Sequence, residues 1–240
     1  MTYEAAVERL RAVAQAAQQL PASLPNGVPD LAAAQVRLSE GLPALAGEPL
    51  LDWPALSANV RKLGGTVDDL ARTIEPAALV EAALSGAWDT LGSITQQQVT
   101  LLDYATRPAL RAGWHATRDI IATTQWARGN CPSCGSLPAI AELHSGKEGQ
   151  GRVLRCGRCT AAWAFDRLTC PACGERDHAQ LRYLHVDGEV AFRRAECCLT
   201  CGFYVKAVAR LDPLSSEELL DVDLETVGLD ALAMEAGYRR

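Results

Sequence analysis

Nine cysteines lie between Cys131 and Cys201, and eight of them form four Cys-x-x-Cys pairs: Cys131/Cys134, Cys156/Cys159, Cys170/Cys173 and Cys198/Cys201. Two thiolates three positions apart on a tight turn can reach the same ion, and two such turns facing each other make a tetrahedral four-sulfur site. The first and third pairs sit in the phrase Cys-Pro-x-Cys-Gly (Cys131 to Gly135 and Cys170 to Gly174). There proline sets the first backbone angle, and glycine accepts a positive φ that brings an amide toward sulfur. The ninth cysteine, Cys197, adjoins Cys198. Three-residue spacing to Cys201 selects Cys198 as the ligand and leaves Cys197 a packed, non-ligand role. An odd cysteine count with four vicinal pairs fits metal ligation better than disulfides.

The gaps decide which pairs share an ion. Cys134 to Cys156 and Cys173 to Cys198 are long and alternate apolar runs with turn residues, so each suits a hairpin that returns the chain to its own site. Cys159 to Cys170 is short. The spacing therefore predicts two sequential modules. Cys131, Cys134, Cys156 and Cys159 hold one ion, and Cys170, Cys173, Cys198 and Cys201 hold the second. An interleaved pairing would have to cross the hairpins.

The elements that must carry these turns change character at Asn130. Before it, apolar residues recur at helical spacing and alanine is frequent, so residues 1–127 are expected to be all-helical. Helices are expected over Tyr3–Leu20, Leu31–Leu38 with Asp30 as cap, Pro54–Leu63, Thr66–Ile74, Pro76–Gly86, Leu91–Tyr104 and Pro108–Ala127. Trp88, Trp114 and Trp126 are expected in packing roles. Strands are expected over Leu137–Leu143, Arg152–Arg155 and Ala161–Arg167, then in a hairpin of Leu181–Val186 and Glu189–Glu196 around Asp187-Gly188, and over Phe203–Val208. The first module is expected over residues 128–168 and the second over 169–212. The acidic tail, 213–240, reads as a Ser215/Glu218 capping box, a solvated acidic run (Asp221, Asp223, Glu225) and a terminal helix that packs back on the body. The fold class expected is α+β: an N-terminal all-helical domain, two tandem rubredoxin-like or zinc-ribbon modules of four cysteines each, and a C-terminal helix.

Composition bounds the function. The chain's net charge is −6, which opposes a whole-protein affinity for nucleic acid. From Arg128 to Arg210, twelve basic and eight acidic residues leave a surplus of four positive charges. Two divalent ions, each in four thiolates, would cancel that surplus and remove most support for phosphate binding. Some of the arginines are expected to screen the metal–thiolate charge. No apolar run is long enough to span a bilayer, and Met1 to Leu20 reads as an amphipathic helix rather than a secretory signal. A soluble, cytoplasmic protein is expected. Dithiol catalysis needs a thioredoxin-like frame, whereas the flanks here read as strands and turns. His115, His144, His178 and His185 are scattered, and no nucleophile–base pair or phosphate loop appears, so neither a catalytic residue nor an organic-cofactor site is expected. Structural zinc and rubredoxin-like iron both accept tetrahedral thiolates, and the ligand set leaves both open.

The stretch from Cys131 onward resembles the FdhE family of formate dehydrogenase accessory proteins. The matching residues are Cys131-Pro132-Ser133-Cys134-Gly135-Ser136-Leu137-Pro138, Arg155-Cys156-Gly157-Arg158-Cys159 with Trp163, Cys170-Pro171-Ala172-Cys173, Tyr183, Arg194 to Cys201, Tyr204-Val205-Lys206, and the tail segments Asp223 to Thr226, Leu229-Asp230 and Glu235 to Arg240. Gly41 to Leu45 matches more loosely. The second and fourth pairs lack the proline. The resemblance implies a cytoplasmic assembly factor, not an enzyme, that binds the catalytic subunit of respiratory formate dehydrogenase and makes it active. It also implies two metal ions per chain, with rubredoxin-like iron favoured over zinc. A one-electron carrier and a structural zinc-ribbon interaction protein are the competing readings.

Overall fold

The computed structural model describes residues 3–92, 94–146, 149–186 and 192–240. Contacts divide the chain into two units, Met1–Thr124 with Ser133–Gly135, and Gln125–Pro132 with Ser136–Arg240.

The first unit is helical. Its α-helices are α1 (Tyr3–Gln19), α2 (Leu31–Ser39), α3 (Trp53–Lys62), α4 (Pro76–Ser85) and α5 (Gln96–Ala122). Local chemistry sets the ends. Asp30 accepts from the amides of Ala32 and Ala33, Asp52 accepts from Ala55, and Gly86 closes α4 at φ 79°. Thr95 and Gln98 form a capping box that starts α5. The other four helices all pack against α5, which buries Leu101, Leu102, Ala105, Ala109 and Leu110. Arg111 of α5 donates to the last carbonyls of the α1 end, at Ala17 and Leu20.

Two helical expectations are corrected. The pair Leu91–Tyr104 and Pro108–Ala127 is one continuous helix with Pro108 inside it. Proline removes one amide and usually ends a helix, but here side chains of α3 and of α5 itself hold the turn. Asn59 donates to the Ala105 carbonyl, Arg107 pairs with Asp103 at 2.8 Å, and its guanidinium lies 3.6 Å over the Tyr104 ring. Thr66–Ile74 is not an α-helix: only Leu70–Arg72 forms a short 3₁₀ turn.

The second unit is a six-stranded sheet covered by two helices. Its strands are β1 (Ile140–Gly146), β2 (Gly149–Arg155), β3 (Ala162–Ala164), β4 (Leu181–Leu184), β5 (Arg193–Cys198) and β6 (Tyr204–Arg210), in the order β3-β2-β1-β6-β5-β4. Each half is an antiparallel meander. They join through one parallel pair, β1 with β6, in which Ile140 faces Lys206. The expected third strand is much shorter than Ala161–Arg167. The expected turn at Asp187-Gly188 lies outside the described residues.

The tail forms two helices, α6 (Ser216–Glu225) and α7 (Val227–Glu235), where one was expected. Ser215 and Glu218 do form the capping box. The acidic run belongs to α6 because Leu219, Leu220, Val222 and Leu224 are buried on it at helical spacing. Leu214, Leu219 and Val222 pack on Ile140 and Val208, and Leu229 and Ala233 pack on Ala195, Cys197 and Tyr204. Among the described residues no helix is long and apolar enough to cross a membrane.

Alternation along the strands sorts polar residues between the sheet's faces. On the helix-covered face, Lys206 is fully buried: its ammonium donates to the Asp223 carbonyl and to Asp230 Oδ2 and is ion-paired with Asp223 Oδ1, each at 2.7 Å. Arg240 reaches Asp223 at 3.0 Å and Asp230 at 3.4 Å, and the Tyr204 hydroxyl donates to Asp230 at 2.8 Å. Burial alone would push the Asp223 carboxyl up, but Arg240 and Lys206 together hold it well below the usual carboxylate range. Asp223 is therefore not the solvated acid expected of it.

Candidate metal centres

Each Cys-x-x-Cys pair forms the same knuckle. The amide of the first cysteine donates to a carbonyl five residues on: Cys131 to Ser136, Cys156 to Ala161, Cys170 to Glu175 and Cys198 to Phe203, all at 2.8–2.9 Å. The residue after the second cysteine is left-handed in all four, at Gly135 (φ 81°), Thr160 (66°), Gly174 (78°) and Gly202 (73°). Thr160 is the exception in chemistry but not in geometry, since its side chain carries the strain that glycine avoids.

The turns project their sulfurs into two groups of four, Cys131, Cys134, Cys156 and Cys159 and then Cys170, Cys173, Cys198 and Cys201, with the sulfurs of each group all within 4.8 Å of one another. The sequential grouping, not the interleaved one, is the one the fold brings together. Sulfur–sulfur distances are 3.5 Å for Cys131–Cys159 and 3.7 Å for Cys170–Cys201 and Cys173–Cys198. A tetrahedron with metal–sulfur bonds of about 2.3 Å has edges of about 3.8 Å, whereas a disulfide needs about 2.05 Å. None of these cysteines is joined in a disulfide, and the spacing fits the coordination shell of an ion.

Backbone amides complete the fit. Those of Ala172 and Cys173 hydrogen-bond the Cys170 sulfur, those of Thr200 and Cys201 the Cys198 sulfur, and that of Phe203 the Cys201 sulfur. In the first group the Cys159 amide approaches Cys156 Sγ at 3.5 Å. Donors aimed at sulfur favour the thiolate form that metals bind.

Cys197 is placed by strand alternation. It and Cys198 are neighbours on β5, so they point to opposite faces. Cys197 is buried among Ala195, Tyr204, Leu229 and Ala233 under α7. Burial, with the Glu196 charge adding to it, pushes its thiol up to about 12.

The two groups differ in their surroundings. Cys131, Cys156 and Cys159 are fully buried, whereas Cys173 is exposed and Cys201 partly so. The charged residues near them also differ. Arg155 is bound to Glu142 and to the Leu214 carbonyl. Arg152 of β2 crosses to the second group instead. It donates to the carbonyl of Thr169, the residue before Cys170, at 2.9 Å and pairs with Glu196 at 3.1 Å. Burial lowers the pKa of this guanidinium, against the opposing pull of Glu196 and then Cys170. A void of about 20 Å³ lies against Arg152, Glu196, Cys170 and Cys198. That some arginine would lie near a sulfur group is expected from the sequence; that it is Arg152, through Thr169 and Glu196, is not. The only signal was an isolated arginine opening the apolar run Val153-Leu154.

Residues 168–240 match the family model for the FdhE C-terminal domain. The chain is 37% identical over 111 residues to an FdhE homolog of Edwardsiella ictaluri, covering 46% of this chain and 35% of that protein. It is 31% identical over 116 residues to an FdhE homolog of Aquifex aeolicus, covering 48% and 40%. The matched stretch thus spans less than half the length of these curated relatives. The whole fold is similar to the crystal structure of the FdhE protein from Pseudomonas aeruginosa, with a TM-score of 0.65 and 26% identity over 98% of this chain and 85% of that one. The C-terminal part of the chain thus resembles the FdhE C-terminal domain in sequence, and its fold resembles that of an FdhE protein over nearly its whole length.

Proposed function

We propose that this chain is a cytoplasmic accessory protein that binds the catalytic subunit of formate dehydrogenase and is needed for its activation. It is not itself an enzyme. In this reading Cys131, Cys134, Cys156 and Cys159 ligate one ion, Cys170, Cys173, Cys198 and Cys201 ligate the other, and residues 128–168 and 169–212 are the corresponding modules. The observation that carries the reading is the ordered pair of four-sulfur groups within an architecture shared with an FdhE protein over nearly the whole chain. Iron is the favoured ion, since amide donors to sulfur are what tune a rubredoxin-like site, and zinc is the alternative.

An ion in four thiolates supplies a rigid anchor for each knuckle pair, and iron adds one-electron chemistry. The chain's own contribution is to hold the sulfurs at tetrahedral spacing and to present part of the second group at the surface. The test is co-purification with the catalytic subunit, combined with metal analysis and an absorption spectrum of anaerobically isolated protein. A stoichiometric complex is expected, together with restoration of formate dehydrogenase activity in cells lacking the chain's counterpart. Reversible one-electron chemistry without client binding would favour the electron carrier instead. Colourless protein holding only zinc would remove the redox part of the proposal.

A further inference from the structure

Resting on the reading that each sulfur group holds an ion, we propose that the two centres are unequal: the first is permanently held and the second is exchangeable, with Arg152 as the buried residue that determines how firmly the second is kept. Ligand exchange at a tetrathiolate begins when water, a proton or a competing ligand reaches one sulfur. At the first centre Cys131, Cys156 and Cys159 each have 0% exposure, so approach is blocked on three of four sides. At the second, Cys173 is exposed and Cys201 half-buried. The void against Cys170 and Cys198 is large enough for about one water molecule, which admits solvent to the inner pair as well.

Arg152 opposes this openness. Its guanidinium is buried, donates to the carbonyls of Asp166, Arg167 and Thr169, and so straps the segment that enters Cys170 onto β2. A divalent ion in four thiolates carries a net charge of about −2, and Arg152 supplies a fixed positive charge on its inner side. Glu196, anchored by Arg194 at 2.6 Å as well as by Arg152, fixes the orientation of the strap. Arg152 is thus a positioning residue for a centre whose ligands lie on other elements.

The experiment uses the full chain loaded with zinc. Two zinc ions per chain must first be found, since fewer would count against the two-centre reading rather than against this inference. Excess chelator is then added and release is followed, while pulses of alkylating reagent and peptide mass spectrometry record which cysteines become reactive. Release in two phases of one ion each is expected, separated at least tenfold, with Cys173 and Cys201 labelled in the fast phase and Cys131, Cys156 and Cys159 only in the slow one. Arg152→Gln should speed the fast phase about tenfold and leave the slow phase unchanged, and Arg152→Lys should restore most of the retention, which loss of fold would not do. A single phase, or first-centre cysteines labelled first, overturns the inference. An unchanged fast phase in Arg152→Gln overturns the role of Arg152. The site-resolved labelling of the unmodified protein decides the main point even if that variant does not fold.

Discussion

Replacing Lys206 by methionine tests the buried ion network most directly. The ammonium is wholly buried and has three oxygens of Asp223 and Asp230 at 2.7 Å. Methionine fills most of the volume but leaves Asp223 and Asp230 sharing Arg240, two carboxylates with one cation. Breaking a buried pair from one side costs about 3–5 kcal/mol, because the remaining charge stays desolvated. Asp223 and Asp230 keep 25% and 14% side-chain exposure, so water relieves part of the imbalance and the low end, about 3 kcal/mol, applies. That is roughly a hundredfold in the unfolding equilibrium and about 10 °C in the melting temperature of a unit of this size. Urea unfolding of the zinc-loaded protein at fixed free zinc measures it, and hydrogen exchange of the β6 amides localises it. Adding Asp230→Asn restores the charge balance, so the double variant should lose clearly less than the sum of the singles. If Lys206→Met costs under about 1 kcal/mol, or the two substitutions simply add, the network does not act as one electrostatic unit.

Thr160→Gly should stabilise the Cys156/Cys159 knuckle by about 1 kcal/mol, seen as a higher urea midpoint, because it relieves the only left-handed non-glycine residue among those described. Cys197→Ala should leave two ions bound and cost about 1 kcal/mol of packing, whereas Cys198→Ser should lose the second ion, both read by metal analysis and calorimetry. The depressed Asp223 carboxyl contributes stability that is present above its unfolded pKa of about 3.9 and lost as pH falls through the lower folded value. The gap between wild type and Asp223→Asn should therefore be constant from pH 7 to about 5 and close only below about 4, when both are measured at each pH. Stripping both ions should abolish the β-sheet signal in circular dichroism, since neither small meander has a core that suffices alone.

The cysteine knuckles were legible because ligand spacing is local: four pairs, two long gaps and one short one admit one uncrossed grouping. The helix starts at Asp30 and Ser215 were legible for the same reason, since a cap acts within one turn. What escaped depends on residues far apart in sequence. Pro108 looks like a helix end until Asn59 and the Arg107–Asp103 pair support its turn. Asp223 looks like a surface acid until Lys206 and Arg240 meet it. The lysine inside Tyr204 to Val208 was a visible oddity, an ammonium in an otherwise apolar strand, yet its partners come from two helices that the sequence suggested as one. Arg152 gave still less warning, because two of its partners, Thr169 and Glu196, lie in the other module.

The single parallel seam between β1 and β6 has one more implication. Both meanders lend a strand to it, so neither has an independent border there. A chain trimmed to residues 168–240, the stretch shared with the FdhE C-terminal domain, would leave one side of β6 with a bare row of main-chain donors and acceptors from Lys206 to Arg210. Such an open margin invites other strands, including those of its own copies. The two ribbons are thus inseparable as folded objects even though each carries a complete ligand set.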